Sequence, residues 1–165
     1  MTPSTAAAHM IAFYRGDLHD INHFLKVWTF ARIIGEQEQL DPHTQLLLEL
    51  TAIVHDIACP LCRQKYGSAD GKKQELESPP LIEAFFSGSQ MPPDDIRIIS
   101  WLVAHHHTYT DVTRPEHQIL LEADYLVNAD ESGASAAAIR NACAHFFRTK
   151  AGIRLLQSVY PAAAT

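Results

Sequence analysis

Apolar residues recur at helical spacing along most of this chain, and this periodicity limits the fold more than any other feature. Apolar positions three to four residues apart form one face of an α-helix. Between Asp17, a candidate N-cap, and Leu40, these positions are Ile21, Phe24, Leu25, Trp28, Ile33 and Ile34. We find no convincing alternation with a period of two, the pattern typical of β-strands. The sequence therefore predicts an all-α fold.

Proline, glycine and cap residues predict where the other helices begin and end. A helix is expected from Asp41-Pro42 to His55-Asp56, and Pro60 is expected to end it. Residues 63–78 are polar and contain glycine, which predicts one long loop. Further helices are expected after Pro79-Pro80, after Pro92-Pro93, and at about 116–128, 134–147 and 150–160.

Length and composition predict one globular domain over residues 1–165, a bundle of six to eight helices, because a domain takes roughly 100–200 residues. The chain has 13 Lys and Arg against 19 Asp and Glu, a net charge of −6, which is the wrong sign for binding duplex nucleic acid. We find no run of about 18 apolar residues and no charged region before the apolar N-terminal segment. The sequence thus predicts no membrane partner and a cytoplasmic location.

Three apolar helices each contain a type of residue that binds metals. Asp124 is costly to bury unless it is paired or metal-bound; the alternative is that it faces solvent. His55 and Asp56 end the most apolar helix, where the alternative is a simple helix-ending pair. His23 lies in mid-helix, either as a structural residue or as a ligand whose second ring N–H donates to Asp20. One shared ion would account for all three positions.

Three segments that carry these residues resemble the signature segments of the HD-domain superfamily of metal-dependent phosphohydrolases. They are DINHFLKVWTFA at 20–31, LTAIVHDI at 50–57 and LLEADYLVNA at 120–129. The resemblance covers about residues 17–130 and implies an all-helical fold, with 131–160 as a helical C-terminal extension. The metal ligands that it implies are His23, His55, Asp56 and Asp124.

Two imidazoles and two carboxylates, with coordination positions left for water, suit one divalent ion. The sequence does not distinguish Mn²⁺, Fe²⁺, Co²⁺, Ni²⁺, Zn²⁺ and Mg²⁺. Such an ion polarises a phosphoryl oxygen and lowers the pKa of its bound water, so that hydroxide is available at neutral pH.

A basic cluster occupies the predicted loop of an otherwise acidic chain. Four of the 13 basic residues fall within eleven positions, and only Asp70 opposes them. We expect this patch to bind the substrate phosphate; the alternative is an ordinary solvated loop. Its members are Arg63, Lys65, Lys72 and Lys73.

Three consecutive histidines follow the helix that starts at Pro92-Pro93. Superfamily members with two metals have extra histidines in this region, and usually another between the HD pair and this point. This chain has no histidine from 57 to 104, although Glu75 or Glu77 could substitute. We expect one tightly held ion, and assign a weak second ion or the substrate phosphate to His105, His106, His107 and Glu77.

Cys59 and Cys62 have the C-x-x-C spacing of zinc sites and redox dithiols. A structural zinc site needs about four ligands, and the third cysteine, Cys143, lies far along the chain. We therefore expect reduced thiols near the entrance of the site.

The leading hypothesis is a metal-dependent phosphohydrolase acting on a small phosphorylated metabolite, a nucleotide being one example. One alternative is a mixed-valent di-iron oxygenase of the same superfamily, which would need two irons. Another is a sensor module that binds metal and ligand without turnover. The expected partner is a small phosphorylated substrate, and a second copy of the chain is a further candidate.

Overall fold

The computed structural model describes residues 1–163, and every regular element in that range is helical. The all-α class is confirmed. The α-helices of the described range are α1 (Pro3–Tyr14), α2 (Leu18–Gln37), α3 (Pro42–Val54), α4 (Cys59–Tyr66), α5 (Gly71–Phe86), α6 (Pro93–Val103), α7 (Pro115–Glu131), α8 (Ala136–His145) and α9 (Lys150–Val159), followed by a short 3₁₀ turn, Pro161–Ala163.

Side-chain caps explain why α2 and α3 begin where the sequence predicts. The Asp17 carboxylate accepts a hydrogen bond from the backbone N–H of Asp20 at 3.1 Å, at the start of α2. Asp41 accepts from the backbone N–H groups of His43 at 3.0 Å and Thr44 at 3.1 Å, and Pro42 occupies the first turn of α3. Both caps satisfy N–H groups that have no partner within the helix.

The prediction of a long loop at 63–78 is wrong, because most of this segment is helical. Helix α4 ends before Gly67, whose φ of 72° suits glycine, and α5 begins after Asp70, whose side chain accepts from Lys72 N–H. Pro60 lies in the first turn of α4, where its missing N–H costs nothing.

The two prolines that were expected to start a helix lie inside α5 instead. Pro79 has no N–H to donate to the carbonyl of Glu75, four residues earlier. The Ser78 hydroxyl donates to that carbonyl at 3.4 Å and partly replaces the lost bond. Helix α5 therefore continues through the prolines to Phe86.

Helix α1 was not predicted from the sequence. Thr2 caps it, Pro3 occupies its first turn, and its buried face packs against α3. Its alanines provide little hydrophobic periodicity, so the amino-acid pattern only weakly indicates this helix. The buried residues of α1 are Ala6, Ala7, Met10 and Tyr14.

The core consists of two apolar clusters that share helices α2 and α3. Phe24 and Ile53 belong to the cluster that includes α1, α5 and α6, whereas Val27 and Ala52 belong to the cluster that includes α7 and α9. Helices α2, α3 and α7 pack against one another. Polar residues on these three helices are thereby held on a rigid support.

Residues 42–66, which span α3 and α4, contain one 18-residue window apolar enough by composition to cross a membrane. Of this window, 72% is buried inside the molecule. Such burial is typical of a helix in a protein core, and residues of α3 belong to both apolar clusters.

Candidate metal centre

Four side chains from three parts of the fold converge at the meeting point of α2, α3 and α7. His23 comes from α2, His55 and Asp56 from the turn that follows α3, and Asp124 from α7. His23 Nε2 lies 3.2 Å from His55 Nε2, 3.5 Å from Asp56 Oδ2 and 3.3 Å from Asp124 Oδ1. His55 Nε2 lies 3.5 Å from each of the same two oxygens.

These separations fit the coordination sphere of one divalent ion. Nitrogen and oxygen ligands at 2.0–2.2 Å from an ion lie about 3.0–3.6 Å apart when they occupy neighbouring positions. The buried Asp124 Oδ1 has no hydrogen-bond partner among the described residues, so it is available to an ion. The donor set of imidazole nitrogen and carboxylate oxygen suits the first-row divalent metals.

The backbone and one carboxylate fix the direction of each imidazole. His55 Nδ1 lies 2.8 Å from the carbonyl of Ala52, and a carbonyl only accepts, so Nδ1 carries the proton. His23 Nδ1 lies 2.8 Å from Glu131 Oε2. Both Nε2 atoms therefore face the cluster, and once His23 loses its extra proton both present lone pairs there, as metal binding requires.

The partner of His23 Nδ1 differs from the one expected, which was Asp20. Asp20 instead accepts hydrogen bonds from Arg63 and lies 3.3 Å from His19 Nδ1. The carboxylate that orients His23 is Glu131, at the last position of α7 and 108 residues away in sequence. Sequence spacing favours partners on the same helix, and it gave no signal for one on another helix.

The pKa values of the cluster reflect its concentration of opposite charges. Burial alone would raise the pKa of Asp56 and of Asp124, but the neighbouring histidines lower both below the ordinary range. Burial would lower the pKa of His23, but the neighbouring carboxylates of Asp124 and Asp56 raise it to about 9. The carboxylates stay ionised, and the cluster attracts a cation.

A second group of metal-type ligands shares Asp56 with the first. His106 Nε2 lies 3.3 Å from Asp56 Oδ1, and Asp56, His106 and His107 offer ligand atoms within 4.8 Å of one another. His106 Nδ1 donates to the carbonyl of Val103 at 2.6 Å, which leaves Nε2 as the acceptor. The buried Nε2 atoms of His106 and His107 lack hydrogen-bond partners among the described residues.

Burial and, next in size, the charge of the adjacent His106 lower the pKa of His107 to about 4. His107 is therefore neutral at physiological pH, the form in which imidazole binds metals. This also argues against a protonated His107 as the phosphate-binding group.

The other residues assigned to a second ion lie elsewhere. The His105 ring stacks on Trp101 at a centroid distance of 4.3 Å, and its Nδ1 bonds to the Trp101 carbonyl at 2.7 Å. Glu77 pairs with Lys65 at 2.6 Å. Glu75 accepts from the backbone N–H of His107 at 3.2 Å and thus holds the histidine turn against α5. The structure thus does not bring Glu77 and His105 together with Asp56, His106 and His107.

A pocket of about 260 Å³ opens beside the cluster. It exposes His23, Asp56 and Asp124 together with His107, so an ion and its bound water would be accessible from it. The sequence contains no local signal that places four other residues in the lining: Gln74, Asn128, His19 and Glu131. The remaining lining residues are Asp20, Cys59, Arg63 and Ala69.

Of the four basic residues predicted to bind phosphate, Arg63 lines this pocket. Its guanidinium is held at the rim by Asp20 and Asp17. The three lysines lie outside the lining: Lys65 pairs with Glu77, Lys73 Nζ lies 4.7 Å from the centre of the Tyr66 ring, and Lys72 is exposed. Charge clustering in sequence could not predict these partners, because α4 and α5 turn the side chains away.

The cysteines are free thiols. Cys59 lines the pocket, and its Sγ donates to Gln74 Oε1 at 3.1 Å; burial and the charge of Asp56 raise its pKa. Cys62 is fully buried, and Cys143 lies on α8. Both potential metal-binding groups found among residues 1–163 consist of His and Asp.

Comparison with known proteins identifies the family. A family model described as HD domain matches residues 20–131, which covers more than half of the chain and includes all four residues of the first cluster. No curated protein sequence and no solved structure matches the chain significantly. HD domains bind divalent metals, and the His and Asp cluster fits such a site. The chain belongs to the HD-domain family.

Proposed function

We propose that this protein is a metal-dependent phosphohydrolase that acts on a small phosphorylated metabolite, a nucleotide being one example. The observation that carries the proposal is the set of separations, 3.2–3.5 Å, among ligand atoms of His23, His55, Asp56 and Asp124. A divalent ion held there would polarise a phosphoryl oxygen and supply hydroxide at neutral pH.

Three residues of the pocket are proposed to bind the substrate. Arg63 is the group proposed to bind phosphate, because a guanidinium presents paired donors to two oxygens. Since Asp17 and Asp20 already hold it, an anionic substrate would exchange one of these partners for a phosphate oxygen. Gln74 and Asn128 offer amide groups for the rest of the substrate.

We propose one tightly held ion in the first cluster and a second, weaker position at Asp56, His106 and His107. The first position has four ligand atoms, two of them from imidazoles whose Nδ1 atoms are already bonded. The second position has three, and Asp56 would bridge both ions. A carboxylate bridge is common where two ions lie about 3.5–4 Å apart.

The size of the pocket supports a small substrate. Pockets for drug-sized ligands have volumes of about 300–1,000 Å³, so 260 Å³ accommodates a sugar phosphate or the phosphate and ribose of a nucleotide. We therefore propose that any larger base or aglycone extends past Arg63 into solvent.

The experiment is a phosphate-release assay of the purified protein against a panel of phosphomonoesters and nucleotides, with each of the six divalent metals in turn. We expect release with at least one pair, and its loss in Asp56→Ala. The matched control is His145→Ala, since Nδ1 of this residue bonds to the Asn141 carbonyl within α8 at 2.8 Å. Metal binding without release from any compound would favour the sensor module instead.

The second ligand group favours one other candidate function, the mixed-valent di-iron oxygenase. That activity needs two irons, and Asp56, His106 and His107 supply a place for the second. Anaerobic loading with Fe²⁺, followed by measurement of oxygen uptake and phosphate release with the same panel of compounds, distinguishes the oxygenase from the phosphohydrolase. Oxygen uptake coupled to substrate loss would support the oxygenase.

A further inference from the structure

A tyrosine that lies outside the matched region contacts the backbone of a proposed metal ligand. Tyr14 is the last residue of α1, and the family model matches residues 20–131. The Tyr14 hydroxyl donates a hydrogen bond to the carbonyl oxygen of Asp56 at 2.9 Å. The side chain is buried, with 6% of the residue exposed, so this bond is shielded from water.

The carbonyl that Tyr14 holds is at the point where α3 turns into α4. The same oxygen accepts from the backbone N–H of Cys59 at 2.9 Å, a bond of the turn that precedes α4. The peptide after Asp56 is therefore fixed from two sides. The Asp56 carboxylate belongs to both ligand groups. A rotation of this peptide would therefore move the carboxylate oxygens of Asp56 away from the other ligand atoms of both groups.

The Tyr14 ring also packs beside the helix that carries His23. It lies nearly parallel to the ring of Phe24, with 6.1 Å between centroids and 23° between planes. Phe24 is fully buried and directly follows His23 in α2. A single side chain thus contacts the two segments that supply His23 and Asp56.

We infer that Tyr14 is a positioning residue of the metal site, and that its hydroxyl holds the Asp56 turn in the orientation that metal binding requires. The inference rests on the metal site proposed above. It makes α1 a functional part of the domain. A purely structural role for Tyr14 would reside in the ring and its contact with Phe24.

The variant Tyr14→Phe separates these two roles, because it keeps the ring and removes only the hydroxyl. Tyr160→Phe is the matched control: the Tyr160 hydroxyl also donates to a backbone carbonyl, that of Leu126, at 2.7 Å. Both variants lose one hydrogen bond of the same kind. Only Tyr14 bonds to a residue of the proposed site.

The measurement is titration of the metal-free 165-residue chain with Co²⁺, by calorimetry and by visible absorption of the bound ion. Loss of groups that support metal ligands typically weakens binding by 10–100-fold. For Tyr14→Phe we expect a Co²⁺ dissociation constant about tenfold larger than that of the wild type, and a changed cobalt spectrum. For Tyr160→Phe we expect the wild-type dissociation constant and spectrum.

Equal affinity and an equal spectrum for Tyr14→Phe and the wild type would overturn the inference while leaving the metal site intact. Equal weakening in both variants would also overturn it, since the cause would then be general stability. Failure of the wild type to bind Co²⁺ would refute the proposed site, and the role of Tyr14 with it.

Discussion

The Nε2 atoms of His23 and His55 face each other at 3.2 Å, and both rings are held in place from behind. His55 Nδ1 donates to a carbonyl and His23 Nδ1 bonds to Glu131, so neither ring can turn without breaking a bond. Two lone pairs at this distance repel unless a proton or a cation lies between them. Burial lowers the pKa of His23, but the carboxylates of Asp124 and Asp56 raise it to about 9, and the same carboxylates would hold a cation at this position.

The pKa of His23 predicts how the stability of the metal-free protein depends on pH. A histidine whose pKa is higher in the folded state stabilises the fold fully below its ordinary pKa, 6.5, and loses that contribution as the pH rises through about 9. We expect the free energy of unfolding to fall by up to about 3 kcal/mol across this range, as measured in urea.

His23→Gln should flatten this pH dependence, and an unchanged slope in that variant would contradict the assignment. Metal binding should show the opposite trend over the same range. The affinity for Mn²⁺ should rise with pH, because the ion must displace the proton on His23.

Glu131 should be needed for tight metal binding although it is not a proposed ligand. Glu131→Ala removes the acceptor that fixes the His23 ring, and we expect the metal dissociation constant to increase about 10–100-fold. Calorimetric titration with Mn²⁺ measures this change. The neighbouring Asp130→Ala is the control, since its side chain is 74% exposed. Equal Mn²⁺ affinities in the two variants would show that Glu131 does not support metal binding by His23.

Gly71 should not tolerate a side chain, because α5 approaches the histidine turn closely at this residue. A Cβ there would lie 2.6 Å from the ring of His107. We expect Gly71→Ala to lower stability by about 1–3 kcal/mol and to weaken the second metal position selectively. Thermal unfolding and Co²⁺ stoichiometry measure the two effects. Lys72→Ala, at the exposed next residue, should change neither.

Glu122 should contribute to stability but not to metal binding. It is fully buried, and one oxygen accepts from the backbone N–H groups of Arg148 at 2.7 Å and Thr149 at 3.0 Å. Glu122→Ala should cost about 3 kcal/mol, because these donors lose their acceptor. The exposed Glu36→Ala should cost about 0.5 kcal/mol or less. A urea midpoint for Glu122→Ala close to that of Glu36→Ala would show that water replaces the acceptor.

The sequence predicted those features that depend on local chemistry. Asp41-Pro42 marks the start of α3 correctly because a cap and a first-turn proline act within a few residues. His23, His55 and Asp124 stood out because each is a polar residue in an apolar helix, and they do lie together. Such residues are costly to bury singly, so the pattern itself indicates a common partner.

Features that depend on distant contacts could not be predicted in this way. Glu131 orients His23 across 108 residues, whereas the sequence pointed to Asp20 on the same helix. The polar segment 63–78 is helical because Asp70 and Ser78 satisfy backbone groups, not because of an apolar stripe. The direction of Lys65 was equally unpredictable, since its partner Glu77 lies on the next helix.

Anomalous diffraction from crystals grown with Co²⁺ or Mn²⁺ tests whether His23, His55, Asp56 and Asp124 hold an ion. We predict a strong peak at about 2.0–2.3 Å from His23 Nε2, His55 Nε2 and one oxygen each of Asp56 and Asp124, with any weaker second peak beside His106. A site without density at the first position, or an ion held by other residues, would contradict the account.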